Sequence, residues 1–385
     1  MTMSDGTENA GRREGRLFAG PERLEPLDVL GRGIRAGNPE ALQVSDADRL
    51  RGCLKSRDGA GARKYLDLTH TLNGFMAAIA GELLLRWPLF AQDRSGPAAA
   101  RAAAGEAFAR WRRAAGASAA LREDGGEALR FMEDLLAPER LMPPAVETYL
   151  RQQANREPNL VSELMCVPQS NFEAVVAHLD ASAFDAAAAE FEAYLSACRV
   201  RHDLLFRYIW EWGVVVRKQM GPAAAVEAFQ AALGGCSFFE ATWGLFHALE
   251  PEARAAFLAE HLRSHFSGSA REGAVRVVEE SDRYRLIFEP CGSGGAIRRE
   301  LAGTREGQDA LLPDAVPATW GRAGEVPAYC SHCALNELES MKRYGYPLWV
   351  TEFDPDAAKA CGWTVFKKPA EIPERYFERL GFRKP

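Results

Sequence analysis

The sequence predicts an α+β protein of more than one domain: a large, mainly α-helical N-terminal region, then a small C-terminal α+β domain built to hold a metal. Three observations predict it. From about Asp46 to Ser267, long Ala-, Leu-, Glu- and Arg-rich segments place apolar residues three and four apart, as in Phe191, Tyr194, Leu195 and Cys198. After Gly268 that texture stops, and β-branched, aromatic and glycine residues take over. Four of the 8 cysteines (Cys291, Cys330, Cys333 and Cys361) fall in this last part, two of them as a C-x-x-C.

Length and charge bound the answer. A chain of 385 residues exceeds one small core. Its 47 basic and 53 acidic side chains leave a formal charge of −6, so no global basic field draws in nucleic acid or an anionic membrane, and a small-molecule partner is expected. Nothing in the composition indicates an oligomer. Eight cysteines are too few for a disulfide scaffold at this length. The first twenty residues lack the apolar core of a secretory signal. The greasiest stretch, Gly74 to Leu85, is interrupted by Glu82 and too short to cross a bilayer. A cytoplasmic location follows as an expectation, and with it clustered cysteines that serve as metal ligands or redox groups.

In order along the chain, residues 1–40 are rich in Gly, Arg, Glu and Pro and read as a flexible leader. Residues 41–140 and 141–268 read as two helical units. Trp87-Pro88, Gly96-Pro97, Pro143-Pro144, Pro168 and Gly221-Pro222 punctuate them, and Asn171 and Asp180-Ala-Ser-Ala mark helix starts. The units look related. Tyr65-Leu66 and Tyr194-Leu195 each open a long apolar helix, Glu82 falls opposite Glu211, and, with a four-residue gap, Gly96-Pro97-Ala-Ala-Ala matches Gly221-Pro222-Ala-Ala-Ala. An old duplication or the compositional likeness of Ala-rich helices explains this equally well. Residues 269–385 form the α+β part. Strands are expected at 274–279, 284–289, 347–353 and 363–367, and helices at 333–344 and 373–380.

Tyr329-Cys-Ser-His-Cys333 is the most specific local signal, since a C-x-x-C turn sets two sulfurs on one side of a tight loop. Cys291 sits in Pro290-Cys-Gly-Ser-Gly-Gly295, where glycines let the backbone close around an ion or substrate. Cys361 precedes a strand. Four thiolates from these segments would make a tetrahedral zinc site, with an iron–sulfur cluster as the alternative. His332 either replaces one thiolate or faces a substrate. A thioredoxin-like redox reading wants a strand before the C-x-x-C, and the residues there are loop-like. The plain alternative is four small core residues.

The segments CGSGG, YCSHC and CGWTVFKKP, with PLWV between them and IPERYFERLG at the end, resemble an uncharacterised group of bacterial proteins in which a similar glycine-rich cysteine loop and Y-C-x-H-C pair close a helical chain. The resemblance covers roughly the last 110 residues. It implies a real domain with a shared site and carries no reaction with it.

Candidate polar partners surround the cysteines. Arg298 follows the glycine loop (with Arg299), and Arg322 lies beside Trp320; either arginine suits a carboxylate or phosphate. Ser293 lies within the loop. Glu337 shares a helix face with Cys333 and is placed to move protons beside a metal-bound water. In the helical region Asp203, Arg207 and Glu211 share one stripe next to His202, which reads either as a substrate site or as a salt-bridge ladder. His261 and His265 are four apart, a spacing that holds metals, but no H-E-x-x-H accompanies them. The expectation is therefore a zinc–thiolate enzyme. Its small-molecule pocket would lie between the helical and C-terminal parts, with Glu337, His332 and Arg322 as catalytic groups. Arg298, Ser293, Trp320, His202, Asp203 and Glu211 would bind substrate. An iron–sulfur redox protein and a zinc-stapled binding module are the other readings.

Overall fold

The structure is a computed structural model that describes residues 17–27, 32–117, 127–155, 159–165 and 169–385. The described residues are 65% helical and carry two small antiparallel sheets, a mainly helical α+β protein. Helices α1 (Pro39–Gln43), α2 (Asp46–Lys55), α3 (Gly59–Ser95) and α4 (Pro97–Ala117) come first. After them run α5 (Glu127–Leu135), α6 (Pro138–Leu141), α7 (Pro143–Asn155), α8 (Leu160–Met165) and α9 (Gln169–Asp180). Then come α10 (Phe184–Met220), α11 (Pro222–Gly235), α12 (Ser237–Ala248) and α13 (Pro251–Ser264).

Helices α3 and α10 are the two long rods of the body, 37 residues each. Both stop at a glycine with positive φ, Gly96 (84°) and Gly221 (98°), and a proline opens the next helix. Glycine supplies the left-handed backbone, and proline fits a first turn whose N–H has no partner. With equal lengths, the four-residue gap in the proposed duplication falls inside a continuous helix. It amounts to about one turn and returns side chains to nearly the same face. Trp87-Pro88 does not break α3 as expected. Both residues are buried in the rod and the helix continues through them, packing having overridden the local rule. Pro168 lies outside the described residues, as does Cys166.

Helix α3 is the one described helix long and apolar enough to cross a membrane, but 72% of its most apolar window is buried inside the fold. Glu82 in its middle is buried too. It accepts from Ser237 N–H (2.7 Å), Ser237 Oγ (2.6 Å) and the Tyr149 hydroxyl (3.1 Å).

The expected leader is partly structured. β1 (Arg23–Leu27) pairs antiparallel with β2 (Arg32–Ala36), and Ile34 and Ala36 are fully buried in the same cluster as α13 residues. Arg35 is sealed between Glu22 (2.6 Å) and Asp46 (3.0 Å), which pins the hairpin to the start of α2. Residues 1–16 lie outside the described residues.

The C-terminal part contains β3 (Arg276–Glu279), β4 (Arg283–Phe288), α14 (Gly294–Glu300), α15 (Arg305–Asp309), α16 (Ser331–Tyr344), β5 (Val350–Glu352), β6 (Cys361–Phe366) and α17 (Arg375–Glu378). Its sheet runs β3-β4-β6-β5, antiparallel throughout. In the β4–β6 register Phe288 faces Cys361, Leu286 faces Trp363 and Tyr284 faces Val365. These pairs share one face by the two-residue period, and that face packs on α12 and α13. Cys361 is thus the first residue of its strand rather than a loop residue before it. The largest core cluster runs without interruption from α3, α10 and α11 into Ile297, Leu301, Tyr329, Ala334 and Leu335.

Candidate functional site

A narrow cavity of about 80 Å³ lies where α3, α10, α11 and α13 meet the C-terminal residues. Met76, Ile79, Leu83, Phe206 and Ile209 make its helical wall. Cys291, Cys330, Cys333 and Cys361 all line the opposite side, with His261, His265 and His332 among them. Seventy residues separate the first cysteine from the last in sequence, and the fold brings all four to one space.

The glycine loop achieves this by close approach. A Cβ on Gly292 would sit 1.6 Å from the carbonyl oxygen of His265. One on Gly294 would meet the Tyr329 ring at 2.9 Å and Cys330 Sγ at 3.0 Å, and one on Gly295 would meet Cys291 Cβ at 2.8 Å. The loop is glycine-rich because its backbone is closely approached here, at Gly292 by backbone at the end of α13 and at Gly294 by side chains of the C-x-x-C turn. Cys330 caps the start of α16 and Cys333 sits in its first turn.

Three of these thiols are held neutral. Burial pushes Cys330, Cys333 and Cys361 above the ordinary thiol value, and neighbouring cysteines add to the effect. Cys333 also has a specific partner. The carbonyl of Tyr329 only accepts, so His332 Nδ1, 2.6 Å away, carries the proton. Neutral His332 then has a bare Nε2, 3.4 Å from Cys333 Sγ, to which the thiol donates. Among the described residues, no group of three or more His, Cys, Asp or Glu forms a set that could hold a metal ion as the side chains stand.

The other expected site residues divide. Ser293 lines the cavity, with Oγ 3.5 Å from Cys291 Sγ. Trp320 lines it and donates its indole N–H to Glu337 (3.2 Å). Arg298 lines it while donating to the carbonyls of Asp354 (2.7 Å) and Pro355 (2.6 Å), with its guanidinium over the Phe353 ring. Glu337 is not on the cavity wall. Its fully buried carboxylate is taken by Trp320, by Thr351 N–H (2.7 Å) and by Arg379 (2.7 Å). Arg322 is exposed, paired with Glu325 at 3.0 Å and away from the cavity. The structure therefore gives Glu337 a structural role and Arg322 a surface one, in place of the catalytic roles expected for them.

The helical stripe divides as well. Glu211 is sealed between Arg110 (2.7 Å) and Arg207 (2.8 Å), a buried salt bridge without access to ligand. Asp203 turns instead to His202 and Arg271. Asp203 lines a second cavity of about 130 Å³ that shares Phe206, Gly292 and Ser293 with the first. Sequence reasoning set His265 aside. The His261–His265 spacing was its only local signal, and its partner His202 is 63 residues away.

The buried imidazoles make an acid-sensitive fold. Burial lowers His202 and His332 below their ordinary value, and His265 well below it with His261, His202 and His332 adding. In the unfolded chain each titrates near ~6.5. The unfolded state therefore binds more protons as pH falls, and the stability these groups contribute is full above ~6.5 and lost below it. Each unit of lowering is worth ~1.4 kcal/mol. The melting temperature is expected to drop between pH 7 and 5, before most carboxylates titrate. A flat melting profile across that window would contradict the burial argument.

Fold and site together define a mainly helical α+β protein with a buried, thiol- and imidazole-lined cavity. Compared with known proteins, the chain matches no protein-family model, no curated protein and no solved structure.

Proposed function

We propose that the thiol-lined cavity is the working site of a small-molecule enzyme, and that its four thiols take a thiophilic metal ion, zinc before an iron–sulfur cluster. The observation that carries this reading is that Cys291, Cys330, Cys333 and Cys361 line one cavity with no disulfide among them. Four thiols on one cavity are well matched in softness to zinc. As they stand they do not form an ion-binding set, so loading requires the side chains to turn toward a common point and shed their protons. Zinc bound there would supply Lewis-acid chemistry. The apolar helical wall argues for a substrate with an apolar body. A cytoplasmic location keeps the thiols reduced and belongs to the same proposal. So does an ancestral duplication of the α3–α4 and α10–α11 pairs.

Metal analysis of protein purified under reducing conditions tests it. The expected result is near-stoichiometric zinc that falls sharply in C291A and C361A and is unchanged in C53A, whose thiol lies on α2 away from the cavity. Charge-transfer absorption that bleaches on reduction would replace zinc with a cluster on the same ligands. Metal far below one per chain, with all thiols free, overturns the reading.

A further inference from the structure

We propose that Asp203, His202 and His265 form a hydrogen-bonded chain that presents a bare Nε2 of His265 to the thiol-lined cavity, as the proton acceptor for a small molecule carrying an acidic X–H group. This rests on the reading of the cavity as a binding site, but not on any metal.

The tautomers follow one from another. Arg271 donates to both oxygens of Asp203 (2.5 and 3.3 Å), and to the carbonyl of Gly292 (2.8 Å). Burial pushes Asp203 up, but His202 and Arg271 outweigh it and keep the carboxyl ionised. A carboxylate only accepts, so His202 Nδ1, 2.9 Å away, is the protonated nitrogen. Burial keeps His202 neutral, and its Nε2 is then an acceptor. His265 Nδ1 lies 3.3 Å from that atom and must be the donor. Neutral His265 is left with a lone pair on Nε2, and no described residue bonds to it. His265 lines the thiol cavity, and Nδ1 is already turned back to His202. A carboxylate behind an imidazole that fixes the next tautomer is the arrangement by which acid–base catalysts are oriented.

The chain crosses the wall between the two cavities. Of the Asp203 side chain, 42% is accessible, and Asp203 lines the second cavity. The titratable and charged groups that face His265 are His202 from α10, His261 four residues back near the end of α13, His332 from α16 and Arg271 from the segment after α13. All are neutral or cationic, which keeps His265 unprotonated until a ligand delivers its proton. On transfer, the X–H bond breaks, Nε2–H forms, and the electron pair stays on X. The new imidazolium is stabilised through His202 by Asp203. His265 is the group that meets the ligand; His202 and Asp203 are positioning residues.

Selective ¹⁵N-histidine labelling with long-range ¹H–¹⁵N correlation, on the metal-free wild-type protein at pH 7.5, reads the tautomers directly. H202N and H265N identify the two signals among the 7 histidines. His202 and His265 are both expected as the Nδ1–H form, with an unprotonated Nε2. In D203A both should lose that fixed tautomer and become mixtures, a change that a merely structural aspartate would not produce. An Nε2–H tautomer or an imidazolium at His265 in the wild type overturns the proposal, whatever metal analysis shows. Zinc added alone that shifts the His265 Nε2 signal into the coordinated range also overturns it, making the nitrogen a ligand instead of a base.

Discussion

Gly292→Ala is expected to be the most damaging single methyl that can be added to this protein. The new Cβ would lie 1.6 Å from the His265 carbonyl oxygen and 2.6 Å from the Phe266 carbonyl carbon, so backbone meets backbone on both sides. The 265–266 turn cannot yield easily, because His265 N–H and Phe266 N–H are bonded to Leu262 and Arg263 carbonyls. Overpacking costs ~1–3 kcal/mol when side chains can shift, and this contact belongs at or beyond the upper end. The loop must lift, carrying Cys291 off the cavity wall. Chemical denaturation and labelling of Cys291 in the native state measure both consequences. Gly105→Ala is the control: nothing lies within 4 Å of its Cβ position on an exposed face of α4, so it should be neutral or stabilising by up to ~1 kcal/mol. Similar effects from the two substitutions would refute the close-packing account of the glycine loop.

Glu337→Ala is expected to cost ~3–5 kcal/mol, the usual penalty for removing one partner of a buried pair. The cost does not come from a strong ion pair. Burial pushes the Glu337 carboxyl above its ordinary value despite Arg379, so desolvation outweighs the attraction. It comes from the orphans: the Arg379 guanidinium, Thr351 N–H and the Trp320 indole N–H all lose their acceptor. Glu337→Gln keeps an acceptor oxygen in place and should cost clearly less than alanine. Equal losses in denaturant midpoint for the two variants would point to the charge itself as the source. Because Glu337 is off the cavity wall, zinc content in the glutamine variant should stay at the wild-type level.

Much of the C-terminal part was legible because its rules are local. Alternation in Arg283–Phe288 marked a half-buried strand, and the glycine–cysteine loop and C-x-x-C stood out by composition alone. What escaped depended on distant partners. The Gly- and Arg-rich stretch before residue 40 looks like a leader until α13 supplies the surface that buries Ile34 and Ala36. Glu337 was correctly placed on the Cys333 helix, yet only Arg379, 42 residues later, shows that its carboxylate is committed elsewhere. Of the stripe Asp203, Arg207 and Glu211, the last two stay paired and add Glu300 and Arg110, while Asp203 leaves for Arg271. His265 had a visible spacing but no visible neighbour, and a tautomer is set by neighbours.

The order in which the cavity wall is synthesised has a consequence for the protein's early life. Cys291, Cys330 and Cys333 are all made before Cys361 and before Arg379, which locks Glu337 and through it Trp320 and β5. β4 cannot gain its β6 neighbour until residues 361–366 leave the ribosome. For that interval three thiols stand open to oxidants and to one another, the two of the C-x-x-C only three residues apart. The nascent chain, rather than the finished fold, is where these cysteines are most exposed to wrong pairing.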